Sequence, residues 1–136
     1  MTLYLSDLLN ECYFRGFTDF ETHGENLLVL SVPDEQFPDN ILPVMVEFEG
    51  DMISASAVVM EVPETAYLPA VRLCNRLNAG TRWYKHFVQE TKDGGFQVCV
   101  AGDWVAKEFP ARFCFDRLMA FCRHVYQVET ELMTEE

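Results

Sequence analysis

The sequence predicts an α+β domain built on a single antiparallel sheet, with its elements in the order α-βββ-α-ββ-α. Three observations carry that expectation. Residues 44–49 and 53–59 alternate apolar and polar side chains on either side of Gly50-Asp51, the pattern of a hairpin with one wet face. Lys92-Asp93-Gly94-Gly95 divides an aromatic-rich segment from an apolar return, a second hairpin. From Pro110 into the 130s apolar residues recur at helical spacing. Strands grouped by hairpins and separated by helices imply antiparallel pairing.

Taken in order, the first element is a short helix. Ser6 is a candidate N-cap with Asp7 in the first turn, Leu8, Leu9, Cys12 and Tyr13 share one face, and Gly16 is the stop. Residues 18–23 have extended character without being counted as a strand, and His23-Gly24-Glu25-Asn26 is a turn signal. Residues 27–32 are a continuous apolar run of strand length, and Pro33, Pro38, Asp39, Asn40 and Pro43 mark the loop that follows. In the next hairpin Val44, Val46 and Phe48 oppose Glu47 and Glu49. Ile53, Ala55, Ala57 and Val59 continue the alternation until Pro63 ends it. Residues 64–78 read as the second helix, with Ala70, Leu73, Cys74 and Leu77 on one face. Pro69 is tolerated only in the first turn, which sets the start near Thr65, and Asn78-Ala79-Gly80 supplies the stop. Residues 82–90 form the aromatic strand, and residues 96–101, extendable to 106, its return.

The bulk numbers narrow the class. A chain of 136 residues with 49% hydrophobic and 13% aromatic content fits one domain, residues 1–136, with a real core. The formal net charge is −12, which opposes nonspecific binding to nucleic acid or to an anionic membrane surface. The charge is unevenly placed. Residues 1–71 hold thirteen acids and one base, Arg15; residues 72–92 hold five bases against Glu90; residues 93–136 hold eight acids and four bases. Residues 1–11 lack the basic start of a secretory signal, and the most apolar stretch, residues 52–60, is half a membrane span and contains Ser54 and Ser56. The expectation is a cytoplasmic protein. Its five cysteines, odd in number and widely spread, read as small buried hydrophobes.

Residues 53–79, ISASAVVMEVPETAYLPAVRLCNRLNA, lead from a strand of small and apolar residues through a Pro-containing link into a helix ending in Asn-Ala. The aromatic hairpin and long terminal helix follow in order. This pattern resembles the YbjN family of bacterial proteins, labelled candidate sensory transduction regulators. Residues 44–134 match it, and residues 1–32 match in layout only. The resemblance implies the fold of type III secretion chaperones, which are small, acidic, usually dimeric cytosolic proteins that hold unfolded stretches of a client. It implies no enzymatic activity and brings no active-site residues. The function expected from it is binding of another protein, chaperone-like or regulatory, by a homodimer.

No residue pattern supports catalysis, a metal or a cofactor. There is no C-x-x-C pair and no H-x-x-x-H, and Cys122 and His124 lie two apart on a helix, on different faces. A nucleophile at Cys99 would need His86 beside it. With the turn at residues 91–95, Glu90 lies opposite Phe96, so Cys99 faces Phe87 and His86 faces Val100, on opposite sides of the sheet. The histidines are expected at the surface. Paired carboxylates such as Asp34-Glu35 and Glu47 with Glu49 fall in loops or on a wet strand face, not in the apolar pocket that acid/base work needs.

Two features are candidates for binding. Arg72, Arg76, Arg82 and Lys85, with Trp83, Tyr84, His86 and Phe87 between or beside them, form a basic aromatic segment, the alternative being an RNA-binding regulator that uses residues 72–92. In the last helix Cys114, Leu118, Phe121, Val125, Val128 and Leu132 are spaced 4, 3, 4, 3, 4, and Phe115, Met119, Cys122, Tyr126 and Met133 form a second stripe. One stripe packs the helix on the sheet. The other is covered either by the N-terminal helix or by a partner, with Phe121, Val125, Val128 and Leu132 as the candidate dimer or partner surface.

Overall fold

Each expected hairpin is present, and there is one strand more. The computed structural model describes residues 3–106 and 110–135. Within them the order is α1 (Leu3–Phe14), β1 (Phe20–His23), β2 (Leu27–Leu30), β3 (Val44–Glu49), β4 (Met52–Val62), α2 (Tyr67–Gly80), β5 (Lys85–Glu90), β6 (Phe96–Val105) and α3 (Ala111–Glu135). The strands form one antiparallel sheet in the order β1-β2-β3-β4-β6-β5.

The additional strand is β1. It pairs with β2 across a turn in which Gly24 takes φ 67°, a conformation that suits glycine. Only Phe20 of its four residues is even partly buried, so its sequence carries no alternation to mark it. Ser6, expected as a cap, lies inside α1, which begins at Leu3. Pro69 falls in the first turn of α2, where its missing N–H breaks no helical bond. A 3-10 turn, Glu64–Ala66, joins that helix to β4.

The inward face of the sheet is set by period two. Val44, Val46 and Phe48 from β3 meet Ile53 and Ala55 from β4, and Val98, Val100 and Trp104 from β6 continue the layer. A β-bulge between Val58 and Met60 changes the phase of β4, so that Ala57 and Val59 point inward on one side of it and Val62 on the other. Leu5, Leu8 and Cys12 of α1, Ala70, Leu73 and Cys74 of α2, and the α3 stripe close this core. The described helices therefore share one side of the sheet, and the other side carries none.

Arg15, the single base of residues 1–71, fastens α1 to α3. Its guanidinium donates to Glu11 Oε1 at 2.8 Å, to Asp116 Oδ1 at 2.8 Å and to the Arg112 carbonyl at 3.3 Å, and it lies 4.5 Å from the centre of the Phe115 ring. The two carboxylates hold its pKa above the usual arginine value. Phe17 meets Phe115 edge to face at 5.4 Å. The chain leaving β2 covers the middle of the second stripe, around Tyr126. Tyr126 Oη donates to the Val32 carbonyl at 2.5 Å and accepts from the Leu42 amide at 2.9 Å, while Asn40 Nδ2 donates to the buried Glu129 at 2.6 Å.

Candidate functional site

Phe121, Val125, Val128 and Leu132 are 0, 0, 1 and 5% exposed within one chain. They are core, which corrects their assignment to a dimer or partner surface. The second stripe is covered as far as Tyr126, since Phe115, Cys122 and Tyr126 are buried and Met119 is partly so, whereas Met133 near its end is 60% exposed. The physical reason is division of labour. The 12-residue α1 is too short to cover the 25-residue α3, but residues 31–43 extend the cover along α3 to Tyr126 and Glu129. Loop segments rarely announce that they will lie on a helix.

The basic residues do not converge. Lys85 is in register with Ala101 on the outward face of β5, whereas α2, which carries Arg72 and Arg76, packs on the inward side. Arg76 is engaged by Glu131 at 3.3 Å. Trp83 is 62% exposed, but the Arg117 guanidinium lies 4.5 Å from its ring centre and occupies one stacking face.

Tyr84 and His86 point inward, and there they meet α3. His86 is buried, contrary to the expected surface position, because the same alternation that exposes Phe87 turns it into the core. Asn78, from the end of α2, treats His86 as a strand neighbour would. Its Nδ2 donates to the His86 carbonyl at 2.8 Å and its Oδ1 accepts from the His86 amide at 2.7 Å. That fixes the side-chain amide and makes Oδ1 the acceptor for His86 Nδ1, at 2.8 Å. The proton of neutral His86 is thus on Nδ1, and its Nε2 is an acceptor. His124 Nε2 lies 2.6 Å away and must supply the hydrogen. Tyr84 stacks on the His124 ring at 4.5 Å and meets Phe121 edge to face at 5.4 Å. Gly102 permits this, because a Cβ there would stand 3.2 Å from Tyr84 Cδ1 and 3.3 Å from the Trp83 carbonyl oxygen.

Burial, reinforced by the neighbouring His124 ring, pushes His86 down to about 4. Burial also lowers His124, against a hydrogen bond donated by its ring to the Gln127 side chain, which favours its charged form. A pair of imidazoles provides two metal ligands, and among the described residues no cluster of three or more His, Cys, Asp or Glu converges. The thiols are poor nucleophiles. Burial raises Cys12, Cys74 and Cys114 to about 11 and Cys122 to about 12, and raises Cys99 as well. Cys99 and His86 do stand on opposite faces of the β5–β6 hairpin, in the register counted from the turn.

What remains open is the outward face of the sheet. Met45, Val58 and Phe87 are 43, 43 and 39% exposed there. With Pro43, Ser56, Gln89 and the buried Cys99 they line a shallow concavity of about 470 Å³. The sequence contained the signal, in that Met45, Val58 and Phe87 are apolar residues at outward positions of their alternating strands. A second concavity, of about 460 Å³, lies between residues 32–36 and α3 beside Arg123 and Tyr126.

No family model matches the chain, and no curated protein matches it. Among solved structures it is similar to the crystal structure of YbjN from E. coli, described as a candidate transcription regulator, with a TM-score of 0.69 at 18% identity over 96% of this chain and 91% of that one. The chain has the YbjN fold. The YbjN likeness holds for the architecture, including the N-terminal part that the sequence matched in layout only. No described helix is long and apolar enough to cross a membrane.

Proposed function

We propose that the chain is a non-enzymatic, cytoplasmic protein-binding module, regulatory or chaperone-like, whose binding surface is the outward face of the sheet. The observation that carries this is the placement of Met45, Val58 and Phe87 around one concavity on the side that no described helix covers. The YbjN likeness supports a regulatory setting, since that protein is described as a candidate transcription regulator. Protonated thiols and the lack of a converging ligand cluster among the described residues favour binding over catalysis. The division of the basic residues between two sides favours protein over RNA as the partner.

The test is site-specific photocrosslinking in the source cell. A benzophenone side chain at Val58 should give a discrete protein adduct, and one at the exposed Arg72, on the helix side, should not. Absence of an adduct at Val58, or the same adducts at both positions, refutes the assignment.

A further inference from the structure

The outward face has an internal order that names the chemistry of its occupant, given the proposal that this face binds protein. Strand register places Val29, Met45, Ser56 and Ala101 in one row across β2, β3, β4 and β6, closed by Glu21 at the β1 edge and by Lys85 at the β5 edge. Val58, Cys99 and Phe87 form the next row. On the far side of the first row stand Glu47, Ser54 and Asp103, also in register. Two residues of strand separate the rows, about 6.7 Å. Over β3, β4 and β6 an apolar band therefore runs beside a row that carries the carboxylates of Glu47 and Asp103.

Across the whole face the outward positions hold five carboxylates, Glu21, Glu47, Glu49, Glu61 and Asp103, and one ammonium, Lys85. Among the described residues neither Glu47 nor Asp103 is in an ion pair. Two copies placed face to face would set one negative surface against another. Phosphates would be repelled in the same way. A polypeptide with positive charge beside apolar side chains meets the apolar band and these carboxylates at once.

We infer that the occupant of this face is a cationic amphipathic polypeptide segment. Its apolar side chains rest on Met45, Val58 and Phe87, and its Lys or Arg side chains reach Glu47 and Asp103. Charge supplies the choice of partner and the apolar band most of the contact area.

The test uses a fluorescein-labelled peptide of about eighteen residues in which Leu and Lys alternate in an amphipathic helical pattern. Companion peptides carry Ser or Glu in place of Lys, and binding is read by anisotropy. The Lys peptide should bind, more weakly as salt rises, and the Glu peptide should not. Glu47→Lys with Asp103→Lys should weaken the Lys peptide about tenfold or more, and Val58→Ser with Phe87→Ser should do the same. Glu35→Lys with Glu64→Lys makes the same change of net charge away from the face and should alter binding by less than about twofold. Circular dichroism confirms that each variant is folded. Equal weakening by the two charge-reversal pairs would reduce the effect to bulk charge and overturn the inference. Tight binding of the Ser peptide, lost in the Val58→Ser and Phe87→Ser variant, would overturn the cationic partner while leaving the protein-binding face standing. If no peptide binds, both fall. Sedimentation that finds a dimer dissociated by Val58→Ser and Phe87→Ser would assign the face to a second copy, and preferential binding of oligouridine there would assign it to RNA; either result overturns the inference.

Discussion

Stability should fall as the histidine pair is forced to protonate, and the structure sets both the sign and the size. His86 is 2% exposed and its pKa is pushed down from 6.5 to about 4. Between those values the unfolded chain binds a proton that the folded chain refuses, so stability rises with pH across the window and is lost as pH falls through it. From about pH 7.5 down to about pH 5, which keeps the protein above its isoelectric point near 4.5, the loss from His86 is about 2 kcal/mol. His124 shifts in the same direction and adds to it. The assay is urea denaturation followed by circular dichroism at several pH values, for the unmodified chain and for His86→Gln. The substitution has its own cost, which appears as a constant offset; the informative quantity is the difference in pH slope. The unmodified chain should lose about 2 kcal/mol more than the variant between the two pH values. Slopes that agree within about 0.5 kcal/mol would refute the account, because they would mean that His86 titrates alike in both states.

Four further outcomes follow from named contacts. Phe121→Ala removes a fully buried ring that packs against Tyr84 and should cost about 3–5 kcal/mol in denaturation, with no change of oligomeric state. Tyr126→Phe removes the hydroxyl that joins Val32 and Leu42 to α3, and should cost about 1–2 kcal/mol and speed hydrogen exchange at the Leu42 amide. Asn78→Ala uncovers the His86 backbone groups at the β5 edge and should cost about 1–3 kcal/mol, with chromatography showing increased self-association. The cysteines should resist alkylation at neutral pH in the folded chain and react when urea is added, since burial holds them as thiols.

Much of the sheet was legible because period two leaves little freedom. Once Lys92-Asp93-Gly94-Gly95 is taken as the turn, counting back gives Glu90 opposite Phe96 and His86 opposite Val100, and the sheet has that register. The same count separates Cys99 from His86 by face. β1 was not legible as a strand, because four residues with one half-buried side chain carry no pattern. The meeting of His86 with His124 was not legible either. It depends on where α3 crosses β5, a tertiary fact that neither local pattern contains. A weak signal existed in His124 itself, which sits on a narrow polar strip bounded by Phe121 and Val125, so that its ring borders the core.

The two stripes of α3 show why apolar area on a helix is a poor guide to quaternary structure when the surrounding loops are ignored. Burying a large side chain contributes about 1.5–3 kcal/mol, and a chain of this size can gain that contribution with its own loop. Here Tyr126 and Glu129 offer α3 polar handles for the Val32 carbonyl, the Leu42 amide and Asn40. Those contacts satisfy groups that the loop would otherwise hide without partners, so the loop can lie on apolar surface. Among the described residues the larger outward apolar side chains have no such cover, although the small Cys99 between them is buried. The described helices all lie on the inward side, and the strand order leaves β1 and β5 as the two edges. Exposed Met45, Val58 and Phe87 are therefore surface that the fold does not close by itself. The carboxylates in the neighbouring row keep that surface soluble and at the same time restrict what it can bind.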